Sequence, residues 1–487
     1  MKKAISMILA VLMMLSVLSV AAFAADGIVK NDNVVFVADA GDDAAEGTAD
    51  KPVKTLQKAF EKLAATGGVA VIEGVVTIDS TNCKMPANDK LITVTSYYDG
   101  VDYRSKFYGT DKVTARLNLT NGATAGFTFG GDVAFDYVIF NVPSVEAKNG
   151  IIASYYNNFE VGANCTTEFL GLDGTAWFTP LDPATENSPR NYYPILISGM
   201  NQSSREDQLG GETITEPFTF SIGSGMWQSA RIGDRDVPVR NTIDTQVTFN
   251  ISGGTFVYWT ANYYGKDTNL SVQCDYQAIL GPNAVVTLNV TGGFFAGEIS
   301  GFSQVNAISS GDVTHSGKIV MNILGGTFGR VFKDAGNFII PAMNPNGYKA
   351  GLNYGNSSVE VNIDVSKIKL DPQNLLTVVV RENGPAITVN LSEKNDAIVV
   401  ESGATVNYGS LGGDTPTTDP APATTDTPTT DPTPATTPAP ATEPTPATTA
   451  AGGDVTPPTG DNMILVAIAA AAVLCTAAVV VLKKRED

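Results

Sequence analysis

The ten residues V-T-F-N-I-S-G-G-T-F at positions 247–256 keep returning along this chain. They recur as V-T-L-N-V-T-G-G-F-F at 286–295 and as I-V-M-N-I-L-G-G-T-F at 319–328. A looser copy, F-T-F-S-I-G-S-G-M-W, lies at 218–227. The first half alone recurs as V-E-V-N-I at 359–363 and I-T-V-N-L at 387–391. Successive first positions are 29, 39, 33, 40 and 28 residues apart. A unit returning at this period, with extra residues of variable length, describes an array of similar turns.

Each copy alternates apolar with polar residues, the period of a strand with one buried face. Val247, Phe249 and Ile251 point one way; Thr248, Asn250 and Ser252 point the other. The glycine pair lets the backbone bend where side chains would collide, and Thr-Phe begins a second short strand in a new direction. One such turn cannot bury its apolar face, whereas a stack of them can. The expected fold is mainly β: a right-handed parallel β-helix with surplus residues looping out. A β-sandwich of similar hairpins is the competing arrangement. Hairpins need only short turns, and repeats that return in one direction over such distances favour parallel stacking. The outward Thr248, Asn250, Thr287, Asn289 and Asn322 would then form polar rows that hydrogen-bond from turn to turn.

The chain has 487 residues and a formal net charge of −19. That balance argues against nucleic acid and against anionic lipid heads, and it fits a soluble extracellular surface. Cys83, Cys165 and Cys274 are far apart, and Cys475 lies in an apolar tail. No C-x-x-C spacing is present, so buried free thiols are expected for the first three.

Residues 1–25 read as a secretory signal. Lys2 and Lys3 form the positive start, 5–20 the apolar stretch, and Ala22-Phe23-Ala24 the small residues before a cut after Ala24 or Ala25. The β-helical ectodomain is expected over 26–411. Within 55–63, Leu56, Ala59, Phe60 and Leu63 fall on one face at helical spacing, and Gly67-Gly68 ends the helix. Candidate strands follow at 91–95, 116–119, 133–140 and 195–197. Stretches 173–193 and 199–216 lack periodicity and read as long loops, which often carry binding.

Val35-Phe36-Val37, Gly47-Thr48, Pro52, Thr55-Leu56 and Ala59 together resemble the opening segment of the pectin-lyase-like β-helix superfamily, over about residues 34–78. The resemblance implies a short helix capping the open end of the coil, whose unpaired edge would otherwise recruit other chains. It also implies two chemistries. One is a calcium-binding carboxylate cluster with Arg or Lys as base; the other is a set of Asp residues with a His and an R-I-K segment.

Residues 412–455 are almost entirely Thr, Pro, Ala, Asp and Gly, a disordered stalk that could reach roughly 130 Å if extended. T-P-P-T-G-D-N follows, then twenty apolar residues at 463–482, a transmembrane length, then Lys483-Lys484-Arg485-Glu486-Asp487. The whole of 456–487 resembles the cell-wall sorting signal of Gram-positive bacteria, L-P-x-T-G before an apolar span and a positive tail. Thr456 stands where that signal has Leu. The resemblance implies sortase cleavage between Thr459 and Gly460 and attachment to peptidoglycan, a retained membrane span being the alternative.

For catalysis, A-R-I-G-D-R-D-V-P-V-R supplies the candidates. Asp234 and Asp236 lie two apart, where they could share a face suited to a hard cation such as calcium, with Arg235 and Arg240 nearby. Opposite charges this close also form solvated salt bridges. No other cofactor is implied. His315, the single histidine, lies in D-V-T-H-S-G, which reads as a surface turn without a nucleophile–base pair. Asp42-Asp43 and Glu206-Asp207 read as solvated acids. The aromatics form doublets: Tyr97-Tyr98, Tyr155-Tyr156, Tyr192-Tyr193 and Tyr263-Tyr264, with Tyr258-Trp259, Trp177-Phe178 and Trp227. Adjacent strand residues face opposite ways, so Tyr155, Tyr192, Tyr258, Trp259 and Tyr263 are candidates for stacking on sugars. The same rings would equally pack loops onto the coil. The expected function is that of a surface-anchored adhesin or glycan-binding module facing host or dietary polymers. A polysaccharide lyase or hydrolase and a ligand-free surface spacer are the alternatives.

Overall fold

The computed structural model describes residues 33–411, apart from 79–84, 106–114, 121–125, 145–149, 172, 180–191, 201–209, 236, 238, 258, 264–265, 303–313, 330, 335–336, 340–341, 345–353, 371–374, 381–383 and 410. The signal peptide with Ala24 and Ala25, the stalk, the 463–482 span, and Thr459 and Gly460 lie outside the described residues. Among the described residues, no helix is long and apolar enough to cross a membrane.

The repeated phrase forms the strand Gln246–Ile251, in which alternate residues from Val247 are buried, and then the short strand Thr255–Phe256. Val247, Phe249 and Ile251 are all buried, as alternation requires. This strand pairs in parallel with Phe218–Ile222 on one side and with Val285–Val290 on the other. The copies align residue for residue: Thr248 with Thr287, Phe249 with Leu288, Asn250 with Asn289. The same register continues through Lys318–Ile323, Ser358–Ile363 and Ala386–Leu391. The result is one 12-stranded sheet running from Val34–Val37 to Thr405–Tyr408.

Between visits to this long sheet, the chain passes through others. Met226–Trp227, Thr255–Phe256, Phe294–Phe295, Thr327–Phe328 and Lys369–Leu370 form a five-stranded parallel sheet. Ser229–Gly233, Lys266–Tyr276 and Glu298–Phe302 belong to a 10-stranded third sheet. In the N-terminal half, Val75–Ile78, Arg116–Leu119, Ile139–Asn141 and Thr166–Glu168 take the place of the five-stranded sheet. Each circuit returns the chain to the long sheet one strand further along, a β-helix-like arrangement. Among the described residues, antiparallel strand pairing is confined to three local hairpins, such as Trp259–Tyr263 with Lys266–Tyr276.

The two glycines of each repeat have different duties. The second, at Gly225, Gly254, Gly293 and Gly326, has φ between +86° and +96°, where a side chain is strained. The first lies against the preceding turn. A Cβ on Gly292 would sit 2.2 Å from the Ser252 carbonyl oxygen. Inside, Phe256, Phe295 and Phe328 stack with successive centroids 5.3 Å apart, the repeat of the rungs themselves. Outside the apolar rows, asparagines form a ladder. Asn289 Nδ2 donates to Asn250 Oδ1 (3.0 Å), Asn322 to Asn289 (2.9 Å), and Asn362 to Asn322 (2.8 Å). Asn390 and Asn407 continue it, each at 2.8 Å.

The helix Leu56–Leu63 forms as its spacing requires, burying Leu56, Ala59, Phe60 and Leu63. Phe60 meets Phe129 edge-on at 5.7 Å. The Thr55 hydroxyl accepts from the Lys58 N–H (3.1 Å) and donates to Asp43 (3.0 Å). Asp43 also accepts from the Lys54 and Thr55 N–H groups, so the reading of it as a merely solvated acid is corrected. Asp42 is exposed and accepts only locally, from the Ala44 N–H. The expected strand at 133–140 is two strands, Val133–Asp136 and Ile139–Asn141, separated by Tyr137 at φ +54°. The expected loop 199–216 contains the short strand Thr213–Ile214, part of a third-corner sheet with Thr242–Ile243 and Ile279–Leu280.

Candidate functional site

Two groupings of functional side chains emerge, one outside the coil and one buried at a corner of it. The outer grouping lies on the five-stranded sheet. There Trp227, Phe256, Phe295 and Phe328 point into the core, so Met226, Thr255, Phe294 and Thr327 point out. Beside this row, Phe169, Tyr193, Val142, Val257 and Ala296 form a buried apolar cluster outside the main core. Half-buried Trp177, Phe178, Tyr192, Met226 and Phe294 pack against it. The rings meet edge-to-face, Trp177 with Tyr192 at 5.1 Å and Phe178 with Phe169 at 4.9 Å. The Trp177 indole N–H donates to the Val142 carbonyl at 2.6 Å, which fixes its ring.

Each described tyrosine doublet has one buried and one half-buried ring, but only Tyr97–Tyr98 is a strand; Tyr155 and Tyr156 lie in a turn at φ +51° and +61°. Tyr98, Tyr156 and Tyr193 are buried, while Tyr97, Tyr155 and Tyr192 are half-buried. Tyr155 does not join the aromatic cluster; its hydroxyl donates to Glu212 at 3.1 Å. Trp259 and Tyr263 lie in the hairpin strand Trp259–Tyr263, and Tyr258 lies outside the described residues. Sequence reading missed Phe294 and Met226, which look like ordinary repeat residues. The signal was there in register: they hold the outward position that Thr occupies in neighbouring copies.

The buried grouping gathers Asp234, Asp275, His315, Tyr156, Asn241 and Arg240 from several turns. Asp234 is fully buried, and its Oδ1 accepts from the Met200 N–H at 2.8 Å. Tyr156 and Asn241 lie beside it, and burial pushes its carboxyl up to about 6. Burial also holds the Asp275 carboxyl well above its ordinary range, opposed by the Arg240 charge. Asp275 Oδ2 lies 3.9 Å from His315 Nδ1. His315 is wholly buried, which corrects its reading as a surface residue. Its Nδ1 accepts from the Leu280 N–H at 3.2 Å, and its ring packs on Phe302 and Tyr354. Burial, with Arg240 nearby, lowers its pKa to about 4, so the ring is neutral.

Asp234 and Arg240 thus meet in one place, whereas Asp236 lies outside the described residues. Arg235 is half-buried, its N–H donating to the Met200 carbonyl. Glu206 and Asp207 also lie outside the described residues. Among the described residues, no three acidic, histidine or cysteine side chains lie close enough to hold a metal ion. Asp234, Asp275 and His315 are fully buried, so their charge states bear on the stability of the coil. Cys165 and Cys274 are buried free thiols, and burial pushes the Cys165 thiol up to about 12. Cys83 lies outside the described residues. The chain matches no family model, no curated protein and no solved structure.

Proposed function

We propose that this protein is a bacterial cell-surface binding module, an adhesin or glycan receptor. In this reading a right-handed, pectin-lyase-like parallel β-helix is held away from the envelope by its Thr/Pro stalk. The 456–487 segment anchors it to peptidoglycan through sortase, or to the membrane through the 463–482 span, with the ectodomain extracellular. The observation that carries the reading is the half-buried aromatic cluster of Trp177, Phe178, Tyr192 and Phe294 on the outside of the coil. A spacer needs no such cluster, since its core is already complete within the turns. Half-exposed rings fixed by their neighbours are apolar on the face and wet at the edge, as sugar stacking needs. The acidic balance favours neutral polymers over polyanions. The lyase or hydrolase reading draws less support, because Asp234, the one described acid of the pair Asp234 and Asp236, is fully buried.

The test is a polysaccharide panel incubated with the protein, with and without calcium. Retention on a glycan without turnover is the expected result. New reducing ends or unsaturated uronates would replace the binding reading with an enzyme. No retention on any glycan would leave a spacer.

A further inference from the structure

The outward row of the five-stranded sheet carries a more specific reading, which rests on the glycan-binding proposal. Its register is Met226 beside Thr255, Thr255 beside Phe294, Phe294 beside Thr327, and Thr327 beside Lys369. Met226, Thr255, Phe294 and Thr327 are all half-buried, and the first charge in the row is Lys369. The Phe294 ring does not stand away from the sheet. A Cβ built on Gly329 would collide with Cζ and Cε2, so the ring leans along the coil with that edge directed at the Gly329 backbone of the next turn. That contact fixes the lean of the ring, and the residue keeps partial exposure. Threonine hydroxyls flank it one rung on either side.

We infer that Phe294, Thr255 and Thr327 form a subsite for a neutral linear polysaccharide lying along the coil axis. Rungs repeat about every 5 Å. An extended pyranose chain advances by a similar step per sugar, so one ring can rest on Phe294 while its neighbours reach the two hydroxyls. A polymer crossing the coil at right angles would meet the row at only one residue. The lack of charge from Met226 to Thr327 selects hydroxyl-bearing sugars over carboxylated or sulfated ones. Gly329 belongs to the subsite as a positioning residue: only a residue without a side chain leaves room for the edge of the Phe294 ring.

The experiment uses the full-length protein in detergent and measures affinity for cellulose-, xylan- and mannan-derived oligosaccharides of increasing length, with polygalacturonate as a polyanionic contrast. For at least one neutral series, affinity should rise with length and level off at about four sugars, the span from Met226 to Thr327. Phe294→Ala should weaken it roughly tenfold. Gly329→Ala, which keeps Phe294 but displaces its ring, should weaken it too, as should the paired Thr255→Val and Thr327→Val. Melting curves identify any variant that fails to fold; the remaining variants then decide. If wild-type protein binds and all folded variants bind equally well, the subsite is wrong while the glycan-binding reading stands. If only polygalacturonate binds, or affinity is independent of length, the subsite is overturned. If nothing in the panel binds, both readings fall.

Discussion

Replacing Asn289 with alanine should cost this protein more than replacing any asparagine at the end of the same ladder. Asn289 donates to Asn250 at 3.0 Å and accepts from Asn322 at 2.9 Å. Alanine removes both bonds and leaves the Asn250 oxygen and the Asn322 amide unmatched. A net hydrogen bond is worth about 1 kcal/mol, and an orphaned partner adds to the loss where water enters poorly. Because the position is half-buried, water offsets part of that penalty, and the expected loss is about 2–3 kcal/mol. Asn407 makes one ladder bond, at 2.8 Å, and is exposed. Asn407→Ala should therefore cost less than about 1 kcal/mol. Asn289→Asp is as informative as alanine. A carboxylate accepts from Asn322 but cannot donate to Asn250, so it should resemble alanine at neutral pH. The assay is urea unfolding followed by far-UV circular dichroism. Stacked turns need not unfold in a single step, so transition midpoints are compared before free energies. Equal midpoints for Asn289→Ala and Asn407→Ala would refute the ladder as a cooperative element.

The buried corner sets a pH dependence. Asp234 rises from 3.8 to about 6, so its contribution to stability is full below 3.8 and is lost as pH climbs through 6. His315 falls from 6.5 to about 4, so its contribution is full above 6.5 and is lost as pH drops through 4. Between these limits the two nearly cancel, and the raised Asp275 carboxyl leaves a net fall in stability as pH increases. Melting temperatures across that window should show the fall, and Asp275→Asn should flatten it; an unchanged slope would exclude Asp275 as its source. Gly293→Ala places a side chain at φ +95° and should destabilise by about 1–2 kcal/mol in denaturant titrations; Gly100→Ala, at φ +78° with open space around it, isolates the backbone part of that cost. Thr55→Ala should lower stability by about 1 kcal/mol, with faster amide exchange over Leu56–Leu63, because it removes the helix cap and its link to Asp43. Unchanged exchange there would mean the cap does not hold the helix.

Most of the scaffold could be read from residues because the repeat states it three ways. Alternation assigns the inward face, the glycine pair fixes the bend, and the common phrase fixes the register. Asn250, Asn289 and Asn322 were legible as a row for the same reason: in-register parallel strands place identical residues side by side. The helix at Leu56–Leu63 was legible from its four apolar positions. His315 was misread because D-V-T-H-S-G has the composition of an exposed turn, and nothing local reveals that Phe302 and Tyr354 close over it. Asp275 was missed because it sits within a strand, and its neighbours Asp234 and Arg240 come from an earlier turn. Asp43 looked like any loop acid, since its partner Thr55 lies twelve residues away. The aromatic cluster was partly visible: Trp177, Phe178 and Tyr192 stood out as doublets, whereas Phe294 became notable only once Thr255 and Thr327 were placed on either side of it.

The ladder, the outward row and the subsite all depend on successive repeats being laid side by side in one direction. Spin labels at Thr219 paired in turn with Thr248, Thr287, Thr388 and Thr405 measure this directly, since all five share one outward row. Distances between label sites should lengthen steadily, by about 5 Å for each rung crossed, to roughly 30 Å at Thr405. A series that rises and then falls, as repeats folded back into two facing layers would give, would contradict the parallel stack.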